Sequence, residues 1–275
     1  MHVSPATLPY TAPMNHDLLA RAIEVNWRNL ALGHPAFEAE GAMFVRNPRF
    51  SAIHDANFIY NARASSSAEI ESLLARARKE FAHASELTFR LDPGTPAAFE
   101  ARLALDAQER GSALVLLLEG DPTGAAAPCD IRQVSGDAAW DAYVQLKRAD
   151  WREHARKVGQ DVDDTATPDG LAATNRLKCP PVRYYLAFQE GVPCGFFNAW
   201  EGVGGVGQVE DLFVLPEYRR RDVATALIHH CVADARAHGA GPIVIVADPA
   251  DTPKRMYAAM GWRPVALCRQ FGMKP

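Results

Sequence analysis

The sequence predicts an α/β protein of the α+β kind, built as two domains of similar size. Three observations carry this. The chain has 275 residues, 48% hydrophobic and 23% charged, enough to bury real cores and more than one domain usually holds. Segments with helical and strand-like apolar periods alternate along its length. A small, turn-rich stretch, GDPTGAAAPCD (Gly120 to Asp130), parts two patterned regions and divides the chain into 1–122 and 129–275.

Before this seam, Leu18, Leu19, Ala22, Ile23 and Leu30 recur at helical spacing over Asp17–Leu32. Ala42–Arg46 and Asn57–Ala62 have strand character. Ser67–Phe81 reads as a helix capped by Ser65 or Ser66, Glu86–Leu91 as a strand and Pro96–Glu109 as a helix. The unbroken apolar run Ala113–Leu118 predicts a buried strand. After the seam come a strand at Asp130–Val134 and helices at Ala138–Ala155 and Pro168–Leu177. Three strands follow, Val182–Gln189, Cys194–Trp200 and Gly207–Leu215, the first two joined by an EGVP turn. Val223–His238 is a helix that Gly239 can close; Ile243–Ala247, Pro253–Met260 and Pro264–Phe271 read as strand, helix and strand.

The halves echo each other. SELTFRLDPGTPAAFEARL in the first and PIVIVADPADTPKRMYAAM in the second each give a strand ending in Asp-Pro, a turn, and Thr-Pro opening a helix. Proline in a first helical turn is common, but the full series in one order points to an internal duplication.

Composition narrows the function. A net charge of -4 argues against a nucleic-acid or anionic-membrane partner. No apolar run approaches the ~20 residues of a membrane span. The N-terminal MHVSPATLPYTAPMNHD lacks the basic-then-apolar pattern of a secretory leader. Cys129, Cys179, Cys194, Cys231 and Cys268 are odd in number and never at CxxC spacing, which fits reduced thiols in a cytoplasmic protein with no disulfide and no zinc site. His229 and His230 are adjacent on one helix, hence on different faces, which argues against a metal pair.

The informative segment is GQVEDLFVLPEYRRRDVATALIHH: a strand, an arginine-rich turn, and a helix that starts with the small residues Val223, Ala224 and Thr225. Helix N-termini present unpaired amides and a positive dipole end, and small residues let a phosphate approach them. With Val214-Leu215-Pro216 and Arg219-Arg220-Arg221-Asp222-Val223-Ala224 it resembles the acyl-coenzyme-A motif of the GNAT superfamily of N-acetyltransferases. KRMYAAMGW resembles that family's closing tyrosine, three residues, glycine and aromatic, and the element order from Asp130 onward is similar as well. The resemblance implies two GNAT-like domains, each a mixed, mainly antiparallel sheet flanked by helices, the first a degenerate copy.

It also implies acetyl transfer from acetyl-coenzyme A to a primary amine of a small molecule or peptide, without a metal. Leu212, Phe213, Val214, Arg219, Arg220, Arg221, Asp222, Val223, Ala224 and Thr225 would then hold the coenzyme, with the thioester carbonyl at a strand bulge near Phe213 and Val214. Glu210, assigned the strand parity of Val214, is the expected general base, and Tyr257 the expected donor to the leaving thiolate. Asp222 departs from the motif, standing where the family has its first glycine. A carboxylate about 4 Å from a phosphate charge costs roughly 1 kcal/mol in water and about 4 at an effective dielectric of 20. The three arginines oppose that cost; alternatively, the side chain points to solvent or caps the helix.

Trp140, Tyr143, Trp151, Tyr184, Tyr185, Phe197 and Trp200 are candidate walls of the acceptor pocket or members of the core. DVDDTATPD (Asp161 to Asp169) is an attractor for a cationic amine or a solvated acidic loop. In the first half, YNARASSSAEI replaces the arginine turn, and Phe99 or Glu100 stands where the second half has Tyr257, so that half reads as structural or substrate-shaping. Two other readings fit the same residues: an acyl-coenzyme-A sensor without turnover, and a scaffold whose Asp222 abolishes coenzyme binding.

Overall fold

A computed structural model describes residues 16–275; residues 1–15, most of the segment read above for a secretory leader, lie outside it. The first half contains α1 (His16–Ala31), β1 (Ala36–Ala39), β2 (Ala42–Arg46), β3 (Asn57–Tyr60), α2 (Ser67–Glu80), β4 (Leu87–Leu91), α3 (Ala97–Asp106) and β5 (Gln108–Leu118). The second contains β6 (Asp130–Gln133), α4 (Gly136–Val158), α5 (Ala166–Leu177), β7 (Arg183–Gln189), β8 (Val192–Val203), β9 (Val206–Val214), α6 (Val223–Ala237), β10 (Ile243–Ala247), α7 (Pro253–Ala259) and β11 (Arg263–Met273).

All these strands join one sheet in the order β1-β2-β3-β4-β11-β5-β10-β9-β8-β7-β6. Each half contributes antiparallel neighbours and one parallel pair, β3 with β4 and β10 with β9. The two Asp-Pro turns follow β4 and β10, which hold equivalent places, so the sequence echo is a topological one. The halves also exchange their last strands. β5 pairs with β10 through Leu118↔Ile243, and β11 pairs with β4 through Met273↔Leu87. The two exchanged strands run antiparallel at the centre, with Leu114 opposite Leu267.

One face of the sheet carries α1, α4 and α5 over a core that crosses both halves, including Phe58, Tyr143, Tyr184, Phe196 and Trp200. On the other face, α2 and α3 cover the first half and α6 and α7 the second. Helix α1 belongs to the first half in sequence but packs across the second: Arg21 Nη1 donates to Gly204 O in the β8–β9 turn at 2.8 Å.

Most predicted elements match within a residue or two. Helix α3 stops at Asp106, and Gln108 already opens β5, five residues before the predicted start at Ala113. The polar opening of β5 is exposed, yet its backbone is laddered to β11 as far as Gly272↔Gln108, so hydropathy hid it. The short edge strand β1, exposed along one side, was not predicted, and α4 is longer than Ala138–Ala155 at both ends.

Candidate active site

The site grows from an irregularity in β9. Phe196 pairs with Phe213 and Asn198 with Glu210, so Asp211 and Leu212 together face Phe197. This is a β-bulge, with Asp211 in the left-handed region at φ 66°. The bulge reverses side-chain parity beyond it. Glu210 therefore shares its face with Asn198, Phe196 and Phe213, and not with Val214 as expected. Phe213 belongs to the core under α1 and α4, and Val214 to the core under α6. Sequence parity failed here because an extra residue shifts a period of two.

The bulge coincides with a split in the sheet. Parallel pairing of β9 with β10 is confined to Gly207↔Ile243 and Gln208↔Val244. Beyond it the Glu210 carboxylate enters the gap, and Val246 N donates to Glu210 Oε2 at 3.3 Å. Gln208 Nε2 donates to the same oxygen at 3.1 Å. Burial raises the Glu210 pKa to about 7, and the neighbouring Asp211 charge adds to the shift. Asp211 turns elsewhere. It accepts from Lys147 Nζ at 2.6 Å, from Tyr143 Oη at 3.0 Å and from Asn175 Nδ2 at 3.3 Å. Burial works against the charge on Lys147, but Asp211 and Asp150 outweigh it and hold the ammonium protonated.

Glu210 lines a cavity of about 230 Å³ with Gln208, Asn198, Lys178, Asp55 and Asn29. Asn26 and Asn29 come from α1, and Asp55 and Arg90 from the first half, so both halves build it. An outer cavity of about 550 Å³ shares Asp55 and Leu171 with it and carries Trp151, Asp161 and Asp164. Asp164 also caps α5 by accepting from Ala166 N at 2.9 Å, and Asp169 pairs with Arg148 at 2.7 Å. The acidic run thus serves structure while two of its carboxylates line the outer cavity. Of the candidate aromatic walls, Trp151 lines the outer cavity; Trp140, Tyr143, Tyr184, Tyr185, Phe197 and Trp200 are buried in the cores.

On the other side of the bulge a groove of about 610 Å³ is bounded by Leu212, Phe213, Val214, the start of α6, and Tyr257 on α7. Leu215 N donates to Cys194 O on β8 at 2.9 Å, so strand alternation turns the Val214 amide the opposite way, into the split. At the start of α6, Val223, Ala224 and Thr225 line the groove with amides that no helical carbonyl can reach. Asp222 precedes them at φ 59° and ψ 8°, a left-handed conformation that glycine adopts most easily. Its exposed carboxylate makes no capping hydrogen bond. Of the two alternatives for this side chain, exposure to solvent holds and a cap on α6 does not.

The three arginines are not equivalent. Arg219 donates from Nε to Val214 O at 2.9 Å and from Nη2 to Glu153 at 2.6 Å, so it braces the groove. Arg221 lies over the Tyr218 ring, 5.5 Å from its centroid, and outside the groove lining. Arg220 lines the groove at φ 62° and has no ion pair among the described residues. Tyr257 is buried and packs against Trp262 with centroids 6.1 Å apart. Burial, with the Glu210 and Asp251 charges behind it, raises its pKa and keeps the hydroxyl protonated.

In the first half, Ser66 caps α2 by accepting from Glu69 N at 3.3 Å. Glu69 reaches back and accepts from Ser65 N and Ser66 N at 3.0 and 2.9 Å. These hydrogen bonds lower its pKa to about 2. A side-chain carboxylate thus occupies amides of the kind that a phosphate would use. Phe99 is buried in the core under α2, and Glu100 pairs with Arg269. All five cysteines are free, and among the described residues no group of three or more His, Cys, Asp or Glu is arranged to hold a metal. No described helix is long and apolar enough to cross a membrane.

Sequence reasoning missed Asn26, Asn29, Lys147, Lys178, Asn198 and Gln208. Polar residues at Asn198 and Gln208, within mostly apolar stretches of central strands, were the available signal.

Residues 137–262 match the sequence model of the Acetyltransferase (GNAT) family. No curated protein matches the chain. A functionally unknown conserved protein from Staphylococcus epidermidis superposes with a TM-score of 0.65 at 12% identity, covering 90% of this chain and 97% of that one. A GCN5-related N-acetyltransferase from Kribbella flavida gives 0.64 at 16%, covering 92% and 95%. A tandem GNAT protein from the clavulanic acid biosynthesis pathway gives 0.55 at 16%, covering 79% and 75%. The likeness in fold extends over both halves, and the sequence match falls on the half with the bulge, the split and the groove: residues 137–262 match the GNAT acetyltransferase family, and the fold around them is that of GNAT proteins.

Proposed function

We propose that the protein transfers an acetyl group from acetyl-coenzyme A to a primary amine at one site in the second half. The observation that carries this is the double duty of β9. Gln208, Glu210 and Asp211 line a polar cavity, Leu212, Phe213 and Val214 line the groove, and the bulge joins the two. The groove fits the coenzyme: free amides and Arg220 suit its pyrophosphate, and the Val214 amide suits the thioester carbonyl.

Glu210 would take the proton from the amine as the new C–N bond forms, its pKa of about 7 being matched to that task. The C–S bond breaks, and Tyr257, held protonated, would return a proton to the sulfur. Base and acid lie on opposite faces of the sheet and meet at its split. In this reading residues 1–122 form a domain without a working phosphate site, because Glu69 fills it, and act by closing the acceptor cavity of the domain at 129–275.

Acetyl-coenzyme A tests the proposal directly. At 100 times its Kd it should stabilise the protein by about 2.7 kcal/mol in thermal melts. Thiol release with a panel of primary amines should follow. Stabilisation without release on any amine would favour the sensor reading; no stabilisation would refute the site.

A further inference from the structure

The inner cavity is built for more than an amine. Asn29, Asn198 and Gln208 are 2%, 3% and 1% exposed, and all three line it. Among the described residues, Asn29 Nδ2, Asn198 Oδ1 and Gln208 Oε1 have no hydrogen-bond partner. The orientation of the Gln208 amide follows from its contacts, since Nε2 donates to both Asn26 Oδ1 and Glu210 Oε2. A buried polar atom without a partner costs roughly 1–3 kcal/mol, so these three, with Trp27 Nε1 and Arg90 Nε on the same lining, mark places where a ligand supplies missing partners.

The atoms divide by chemistry. Asn198 Oδ1 and Gln208 Oε1 accept, and they belong to the side chains flanking the Glu210 carboxylate on its own sheet face. Asn29 Nδ2 donates, and it adjoins Lys178, whose Nζ donates to Asn29 Oδ1 at 3.3 Å. Every other cation around the cavity is matched by a carboxylate: Lys147 with Asp211 and Asp150, and Arg90 with Asp55. Lys178 has no ion pair among the described residues, although it is only 9% exposed. The cavity therefore has a hydrogen-accepting end at Glu210 and an unpaired, donating end at Lys178. Its volume, about 230 Å³, falls below the roughly 300 to 1,000 Å³ of pockets for drug-sized ligands.

Building on the acetyltransferase reading, we infer that the acceptor is a compact amino acid or close analogue. Its amine sits against Asn198, Gln208 and Glu210, and its carboxylate sits against Lys178 Nζ and Asn29 Nδ2. A carboxylate there neutralises Lys178, which lacks an ion pair among the described residues, and gives the Asn29 amide donor a partner. Both receiving groups lie outside the strands of the second half: Asn29 is on α1, and Lys178 follows α5. The first half thus supplies part of the specificity.

The test compares glycine, L-alanine, β-alanine and 4-aminobutyrate with methylamine, ethylamine and propylamine as acceptors, by thiol release from acetyl-coenzyme A. At least one acid should exceed its carboxylate-free counterpart by tenfold or more in kcat/KM. Lys178→Met removes the ammonium, and Asn29→Asp pairs it internally at almost constant size. Either variant should bring the acid-to-amine ratio towards one while the Kd for acetyl-coenzyme A stays unchanged. Amines used as well as the acids would overturn the inference and leave the acetyltransferase reading standing. Failure of both sets would also overturn it, and acetyl-coenzyme A melts would then show whether the coenzyme site falls as well. A ratio that survives in both folded variants would place the carboxylate elsewhere and overturn the assignment.

Discussion

Replacing Asp222 by glycine should tighten coenzyme binding with little change in stability. The side chain is exposed, lines the groove beside the free amides of α6, and makes no capping bond that its loss would break. Glycine relieves the left-handed backbone strain at φ 59°, but it also raises the entropy of the unfolded chain by a comparable amount, so the melting temperature should move little. Binding is governed by charge. With the carboxylate about 4 Å from a phosphate and largely solvent-screened, the repulsion is close to 1 kcal/mol, or roughly fivefold in Kd. Titration calorimetry with coenzyme A should find that gain at ~10 mM salt, where the Debye length is about 30 Å, and lose it near ~1 M, where it is about 3 Å. Asp222→Asn removes the charge and tolerates the same backbone, so it should show the same gain. Unchanged or weaker binding in both variants at low salt would refute the argument. A gain with glycine but not asparagine would move the cause from charge to backbone.

Glu210→Gln should lower kcat by about 10²- to 10⁴-fold without altering the Kd for acetyl-coenzyme A. In the native protein kcat/KM should rise through a pKa near 7 and level off above it, as read from a pH–rate profile. The same group makes a stability prediction. A carboxyl raised from 4.5 to about 7 in the fold favours the folded state fully below its unfolded pKa, and that contribution is lost as pH rises through 7. Glu210→Gln should therefore melt a few degrees higher than the native chain at pH 8 and show no such gain at pH 4. Tyr257→Phe should cost about tenfold or more in kcat, measured by thiol release, with the fold retained because the ring packing against Trp262 survives. Residues 129–275 expressed alone should be aggregation-prone in light-scattering assays, because without β5 both β10 and β11 lose a neighbour; adding residues 1–122 should rescue them.

Much of this was legible in the chain, and the exceptions share a cause. The groove proposed for the coenzyme could be read because most of its parts are contiguous: strand, turn and helix start lie within Leu212 to Thr225. The duplication could be read because Asp-Pro and Thr-Pro recur in order. What escaped depends on long-range pairing or on a count of one residue. The bulge at Asp211 leaves no mark in composition, yet it decides which face Glu210 occupies. The opening of β5 is a strand only because β11 lies beside it. Lys178 and Asn29 stand far apart in sequence and become neighbours only when α1 crosses to the other half.

The crossing of the final strands also constrains how the molecule is made. The edge of β4 away from β3 is covered by β11, which leaves the ribosome roughly 170 residues later, or about 10 to 35 seconds at ~5–20 residues per second. Throughout that interval the nascent first half carries an open edge at β4, and an unpaired edge is a template for wrong partners. Strand β11 therefore completes the first half as much as the second, and neither half reaches its final state before β11 is made.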